Sequence, residues 1–446
     1  MSNVSKRNSQ MVMQSTMLWS LSEGVMGIFI IPFALALGAG NVDVGIIGAM
    51  PFLALILAQL PGAELVERWK SRRRVNIFCC ILSRLALVPI ILVPFYFQNI
   101  GIAILVAFLF VAYMMASMGS PAWASMTSDM APKRTWGAFF GKRLAIIDMS
   151  VIASGILGAL LLDQTGTGDM RAFSYVFSAS LLIGMANILP VARLKEPRIR
   201  KHNHKLRDFL KVPKDLKKLI VFRSFFNFAY MFPGPFFTVF MLETLGMGYT
   251  EFVLYSIVGS ASSMLWQKKW GSIADRLGDK PTLIASIIGV SFVPVLFSLA
   301  TPETKWLLLP VQAFSGFIWA GFWVSAENLT LDYTEKEKRA VQIADFNMLT
   351  SVPMVFAPIL GGMASQLNAG LLTGIPLVFG MATVMRVSSI LLANSLRETR
   401  VKHKHETSDV YREVVAVNPV KGTLCQLHAA TDCVKCLWNA RLARKH

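Results

Sequence analysis

"GSIADRLGDKP", residues 271–281, sets Asp275, Arg276, Asp279, Lys280 and two glycines between the apolar runs 255–266 and 282–300. A segment this wet and bendable is what joins two helices that cross a bilayer. Hydrophobic residues make up 54% of the 446 and charged ones 16%, and the mean hydropathy of +0.52 exceeds that of ordinary soluble domains. A crossing needs roughly 20 apolar residues. Twelve such spans are read, centred near Phe29, Leu55, Leu87, Phe108, Ile152, Leu182, Phe236, Val258, Ile288, Phe314, Val355 and Leu377. The first, residues 24–40, is longer than a signal-peptide core and lacks a cleavage site, so it reads as a permanent span.

Charge orients the bundle. Of the 44 lysines and arginines, only Arg171 and Lys305 follow odd-numbered spans, and Arg84 and Arg386 lie inside spans 3 and 12. The rest share one side, which by the positive-inside rule puts both termini in the cytoplasm, with a prokaryotic inner membrane as the expected location. Topology and contact with anionic lipid headgroups account for the net charge of +18, so no nucleic acid is needed to explain it.

The chain also resembles itself. "LGAGNVDVG" at 37–45 is echoed by "LGMGYTEFV" at 245–253, Glu67 pairs with Asp275, Asp129 with Asp332, and Leu-Lys-Glu at 194–196 with Leu-Arg-Glu at 396–398. Offsets of 202 to 208 residues mean six spans followed by six of the same plan. The expected fold is all-α, with twelve transmembrane helices in two pseudo-symmetric six-helix bundles. The first bundle covers 1–193 and the second 218–396, with a basic linker over 194–217 and a basic cytoplasmic tail over 397–446.

Over residues 12–396 the chain resembles the major facilitator superfamily of transporters. Gly271, Asp275, Arg276, Gly278 and Lys280 match that family's GxxxDRxGRR loop, and Asp129, Pro132 and Gly137 match its pattern after span 4, repeated as Asp332, Arg339 and Ala340. The resemblance implies gating by Glu67, Arg68, Asp129, Gly271, Asp275, Arg276, Gly278, Asp332 and Arg339. A carboxylate at the inner end of span 8 would sit against the positive end of a helix in the other half, latching the cytoplasmic side while it is shut. The first copy departs from the pattern at Ala63, Glu67 and Lys70, which leaves its tight turn in question.

By resemblance, spans 1, 4, 7 and 10 line a central cavity, where substrate lies near mid-membrane. Ionisable and polar groups there are the candidate substrate contacts: Glu23, Tyr113, Asn227, Tyr230, Trp319 and Glu327, with Ser117, Trp123 and Trp323 beside them. The acids Glu23, Asp148, Glu327 and Asp345 lie toward the inner end, so pairing with Arg143, Arg223, Arg339 or Lys268 in a gate is the competing reading. Arg84 and Arg386 are assigned to scaffold, either snorkelling toward headgroups or in a structural pair. "NFAYMFPGP" at 227–235 is expected to kink span 7 and free carbonyls toward the cavity.

All six histidines fall in cytoplasmic segments, so proton coupling would use carboxylates, with Glu23 and Asp148 first. No ATP-binding GxxxxGK loop and no intramembrane Ser/His or Cys/His set is present, which argues against an enzyme. Cys425, His428, Cys433 and Cys436 in the tail have spacing for four soft zinc ligands, and a solvated basic tail without cofactor is the alternative. The expected activity is secondary transport of a small molecule or ion by a monomer in the bilayer, with export against protons as one form. Two alternatives stay open: a transporter-like scaffold or sensor acting through its tail, and a zinc or iron transporter.

Overall fold

The computed structural model describes residues 3–130, 136–165, 169–194, 196, 213–335, 339–369, 372–399, 401 and 406–416. Span 1 is α1 (Asn3–Ala36) and span 2 is α2 (Asn41–Trp69). Span 3 divides at Ala86 into α3 (Arg72–Leu85) and α4 (Leu87–Tyr96), because Pro89 cannot donate back across the break. Spans 4 and 5 are α5 (Gly101–Met130) and α6 (Trp136–Thr165), and span 6 comprises α7 (Met170–Ala186) and α8 (Ile188–Ala192). Span 7 runs through α9 (Lys214–Met231), the Pro233-Gly234-Pro235 break, α10 (Phe236–Val239) and a π turn over Phe240–Thr244. Spans 8 to 12 are α11 (Tyr249–Leu277), α12 (Asp279–Ser298), α13 (Leu308–Asp332), α14 (Arg339–Ala364) and α15 (Gly374–Asn394). The short pairing of β1 (Asn368–Ala369) with β2 (Leu372–Thr373) lies between spans 11 and 12.

Eleven of these segments are long and apolar enough to cross a membrane. Span 8 is the twelfth by position and the most polar, since it carries Glu251, Lys268, Lys269, Asp275 and Arg276. Lys269 lays its ammonium over the Trp266 ring at 4.4 Å, which softens one of those charges.

Packing repeats with the sequence. In the first half span 1 packs on spans 5 and 6, and span 4 on spans 2 and 3. In the second, span 7 packs on 11 and 12, and span 10 on 8 and 9. Lipid tails are as apolar as leucine, so close packing rather than escape from water holds such helices together. Phe33 accordingly meets Phe173 and Phe177 at ring distances of 5.4 and 5.2 Å, and Phe226 stacks on Phe322 at 4.2 Å.

The tail begins with order. The helix α16 (Thr407–Ala416) docks on spans 8 and 9, with Val410 fully buried and the Tyr411 hydroxyl donating to the Ala285 carbonyl at 2.9 Å. Residues 407–416 are thus folded onto the second half rather than solvated. Cys425, His428, Cys433 and Cys436 lie outside the described residues.

Candidate functional site

The halves touch most closely at the face opposite the termini. Gly45 of span 2 lies so near Pro358 of span 11 that any Cβ there would collide with the proline carbonyl. Beside it Asn41 donates to Ser365 at 2.9 Å, and Phe173 meets Tyr249 edge-on at 5.5 Å. Asp163, at the end of span 5, accepts from the backbone N–H groups of Tyr249 and Thr250 at 3.0 and 2.8 Å, capping span 8 across the divide. Toward the terminal face, the ion pairs seen among the described residues join groups of one half: Arg72 with Glu196, and Arg276 with Glu413 of α16. There Trp19, Asp148, Trp323 and Glu327, on spans 1, 5 and 10, are exposed.

Glu23 and Arg84, read separately from the sequence, form one ion pair at 2.5 Å, with the guanidinium almost fully buried. Arg84 therefore takes the structural-pair reading, with Glu23 as its partner. Tyr113 is half-buried. In the second half Tyr230 packs edge-on to Trp319 at 4.9 Å, and Trp319 stacks with Trp323 at 5.8 Å. Glu327 is exposed one turn beyond Trp323. Asn227 instead donates to the Thr350 carbonyl at 3.1 Å, tying span 7 to span 11.

Arg223, taken from sequence as a gate partner, lies over Phe322 and Trp323 at 5.1 and 5.2 Å, and its buried Nε and Nη1 have no acceptor among the described residues. An arginine one helical turn before a mid-span Asn is the signal that could have placed it against the aromatic residues of span 10. Arg386 is 1% exposed, so it does not snorkel. It donates to the carbonyls of Ala229 at 3.4 Å and Val290 at 3.0 Å. Those oxygens are the ones that Pro233 and Pro294, four residues later, leave without a helical N–H. The kink in span 7 stands as expected, but its freed Ala229 carbonyl is taken by span 12 rather than offered to the cavity.

The loop residues reveal their local chemistry. Gly278 closes span 8 at φ 103° and ψ 156°, a conformation reserved to glycine. Its counterpart Lys70 makes the turn without glycine, at φ 49° and ψ 29°, in the small left-handed region that other residues reach at modest cost. The turn left in question by the sequence therefore forms. The repeated Leu-Lys-Glu and Leu-Arg-Glu are helix caps. Glu196 accepts from the Arg72 N–H at 2.6 Å and the Ser71 hydroxyl at 2.8 Å, and Glu398 from the Lys280 N–H at 2.7 Å, so each anion sits at the positive end of span 3 or 9.

Glu67, Arg68, Asp275 and Arg276 are exposed, and Gly271 has open space beside it. Asp332 accepts from Thr399, and Arg339 donates to Thr334 and to the Leu331 carbonyl, closing the end of span 10. The Asp129 side chain and Pro132 lie outside the described residues, as do details of Gly137 and Ala340.

Nearby, the buried Tyr333 hydroxyl donates to the Arg397 carbonyl and accepts from the Arg397 N–H, both at 2.7 Å. Burial pushes this phenol up to about 12. Between pH 10 and 12 the unfolded chain then loses a proton that the folded one keeps, so stability is complete below pH 10 and falls as pH rises. Thermal unfolding of the purified protein is expected to show this alkaline loss, and Tyr333→Phe to flatten it; an unchanged slope would remove Tyr333 as its source.

Two six-span bundles that meet at the face opposite the termini are thus in place. The chain belongs to the Major Facilitator Superfamily, whose sequence profile matches residues 12–269 and 269–426. A Na+, Li+, K+/H+ antiporter of Planococcus maritimus is 26% identical over 155 residues, covering 34% of this chain and 36% of that protein. The match thus spans only about a third of that relative's length. Among solved structures, the nucleoside transporter NupG aligns with a TM-score of 0.65 at 13% identity, covering 88% of this chain and 98% of its own. A bacterial homologue of the iron transporter ferroportin, in an inward-facing state, aligns at 0.65 with 15% identity, covering 87% and 97%. At such identities the likeness is one of fold.

Proposed function

We propose that this protein is a secondary active transporter that moves a small solute through the space between its halves by alternating access, exporting it in exchange for protons. The observation that carries the reading is the asymmetry of contact. Gly45, Asn41 and Asp163 seal the face opposite the termini, while Trp323 and Glu327 are exposed toward the terminal face. By the positive-inside rule that open face is cytoplasmic. Solute would meet Tyr230, Trp319 and Trp323 from one half and Tyr113 and Glu23 from the other. Glu23 is the proton site of choice, because this partly exposed carboxylate is paired with a buried arginine and so ties charge in the space between the halves to the packing of span 3. The cation/proton exchange named for the Planococcus protein is in keeping with this coupling.

The test is flux into proteoliposomes, with a panel of solutes and with or without a proton gradient. A single cysteine at Tyr230 should react with an impermeant maleimide from the terminal side, at a rate that changes at least about threefold when the transported solute is present. A cysteine indifferent to every solute, with no gradient-driven flux, would overturn the proposal.

A further inference from the structure

Within the first half, away from the aromatic cluster of span 10, lies a recess of about 170 Å³ between spans 1, 3, 4, 5 and 6. Trp19 and Trp123 give it aromatic walls, and Asn76 and Asn187 give it amide groups. Its charged groups come from two elements. Arg84 of span 3 is 3% exposed, its Nη2 is bound to Glu23, and its Nε is packed against Gly184 of span 6. Arg143 of span 5 donates from its Nε to the Thr16 hydroxyl at 3.3 Å. Glu23 is paired with Arg84 and is not itself among the lining residues, so the two guanidinium groups give the recess an excess positive charge.

A planar guanidinium matches a carboxylate edge better than it matches a spherical ion. Size narrows the ligand further: an engineered cavity of about 150 Å³ takes up benzene, so this recess has room for one ring. We infer that it binds a small planar organic monoanion, a one-ring carboxylate in size, with the carboxylate toward Arg84 and Arg143 and the ring against the indoles. Whether that ligand is also cargo rests on the transport reading; the binding does not.

The full chain in nanodiscs of zwitterionic lipid, titrated with benzoate and followed by tryptophan fluorescence and calorimetry, tests this. Benzoate should saturate and bind at least about tenfold more tightly than benzamide, its neutral counterpart. Arg143→Gln should weaken benzoate about tenfold and leave benzamide unchanged, and Trp123→Leu should weaken both. Because Arg84→Gln alone strands Glu23, the paired change Glu23→Gln with Arg84→Gln is the variant to use, with its melting curve as the check on folding. Equal binding of benzoate and benzamide, no saturation, or benzoate affinity untouched by Arg143→Gln would overturn the inference. Benzoate binding without any flux would leave the recess standing and count against transport.

Discussion

Replacing Arg386 with methionine is expected to destabilise the purified protein by about 2–6 kcal/mol, since it leaves two buried carbonyls unmet at about 1–3 kcal/mol each. Methionine fills much of the arginine's volume, so packing changes little and the polar loss dominates. The sharper expectation concerns the prolines. In the presence of Arg386, changing Pro233 and Pro294 to alanine supplies N–H groups that compete for Ala229 and Val290, stranding a cation that has no carboxylate partner among the described residues. That change should destabilise. In the Arg386→Met background the same alanines satisfy the orphaned oxygens and should stabilise. A change of sign across the double-mutant cycle, read from unfolding midpoints in detergent, is the signature of this bridge. Additive effects would show that the arginine is held by something else. The guanidinium also lies 5.9 Å from the Trp319 ring, so a shift of span 12 should carry into the aromatic cluster and weaken solute binding as well.

The bridge also marks where reading the sequence stops. The twelve spans, the duplication and the positive face were legible because hydropathy, matched offsets and charge are written along the chain. The Pro-Gly-Pro break in span 7 was legible for the same local reason. What meets its free carbonyl was not, since Arg386 is 157 residues from Ala229 and its direction depends on the rotation of span 12. Glu23 and Arg84 stood out singly, yet their pairing across 61 residues needed the fold. Leu-Lys-Glu and Leu-Arg-Glu were visible as a repeat, and the role of Glu196 and Glu398 as caps on spans 3 and 9 appeared only once the fold had brought the ends of spans 6 and 12 beside them.

Neutralising Asp163 as Asp163→Asn is expected to open the face opposite the termini. Its carboxylate holds two N–H groups in the first turn of span 8, and hydrogen bonds to a charged group contribute about 1.5–3 kcal/mol. This contact joins the two halves, so it exists only while that face is shut, and losing it biases the equilibrium between states. A loss of about 1.4–2.8 kcal/mol corresponds to roughly a 10- to 100-fold shift in population. The sequence pointed to an acid at a helix end as the latch and placed it at Asp275 on the terminal face. The same physics operates at the other face, where Asp163 ends span 5 and the helix it caps belongs to the opposite half. A cysteine at Val253, buried just inside this seal against Gly155, reports the change. Its reaction with an impermeant maleimide from the far side should quicken at least about tenfold in Asp163→Asn, with net transport falling in step. Asp163→Glu should keep much of the slow rate, because the charge remains. If the asparagine variant labels no faster than the parent, the seal is held by Gly45 against Pro358 and its neighbours, and Asp163 is an ordinary surface cap.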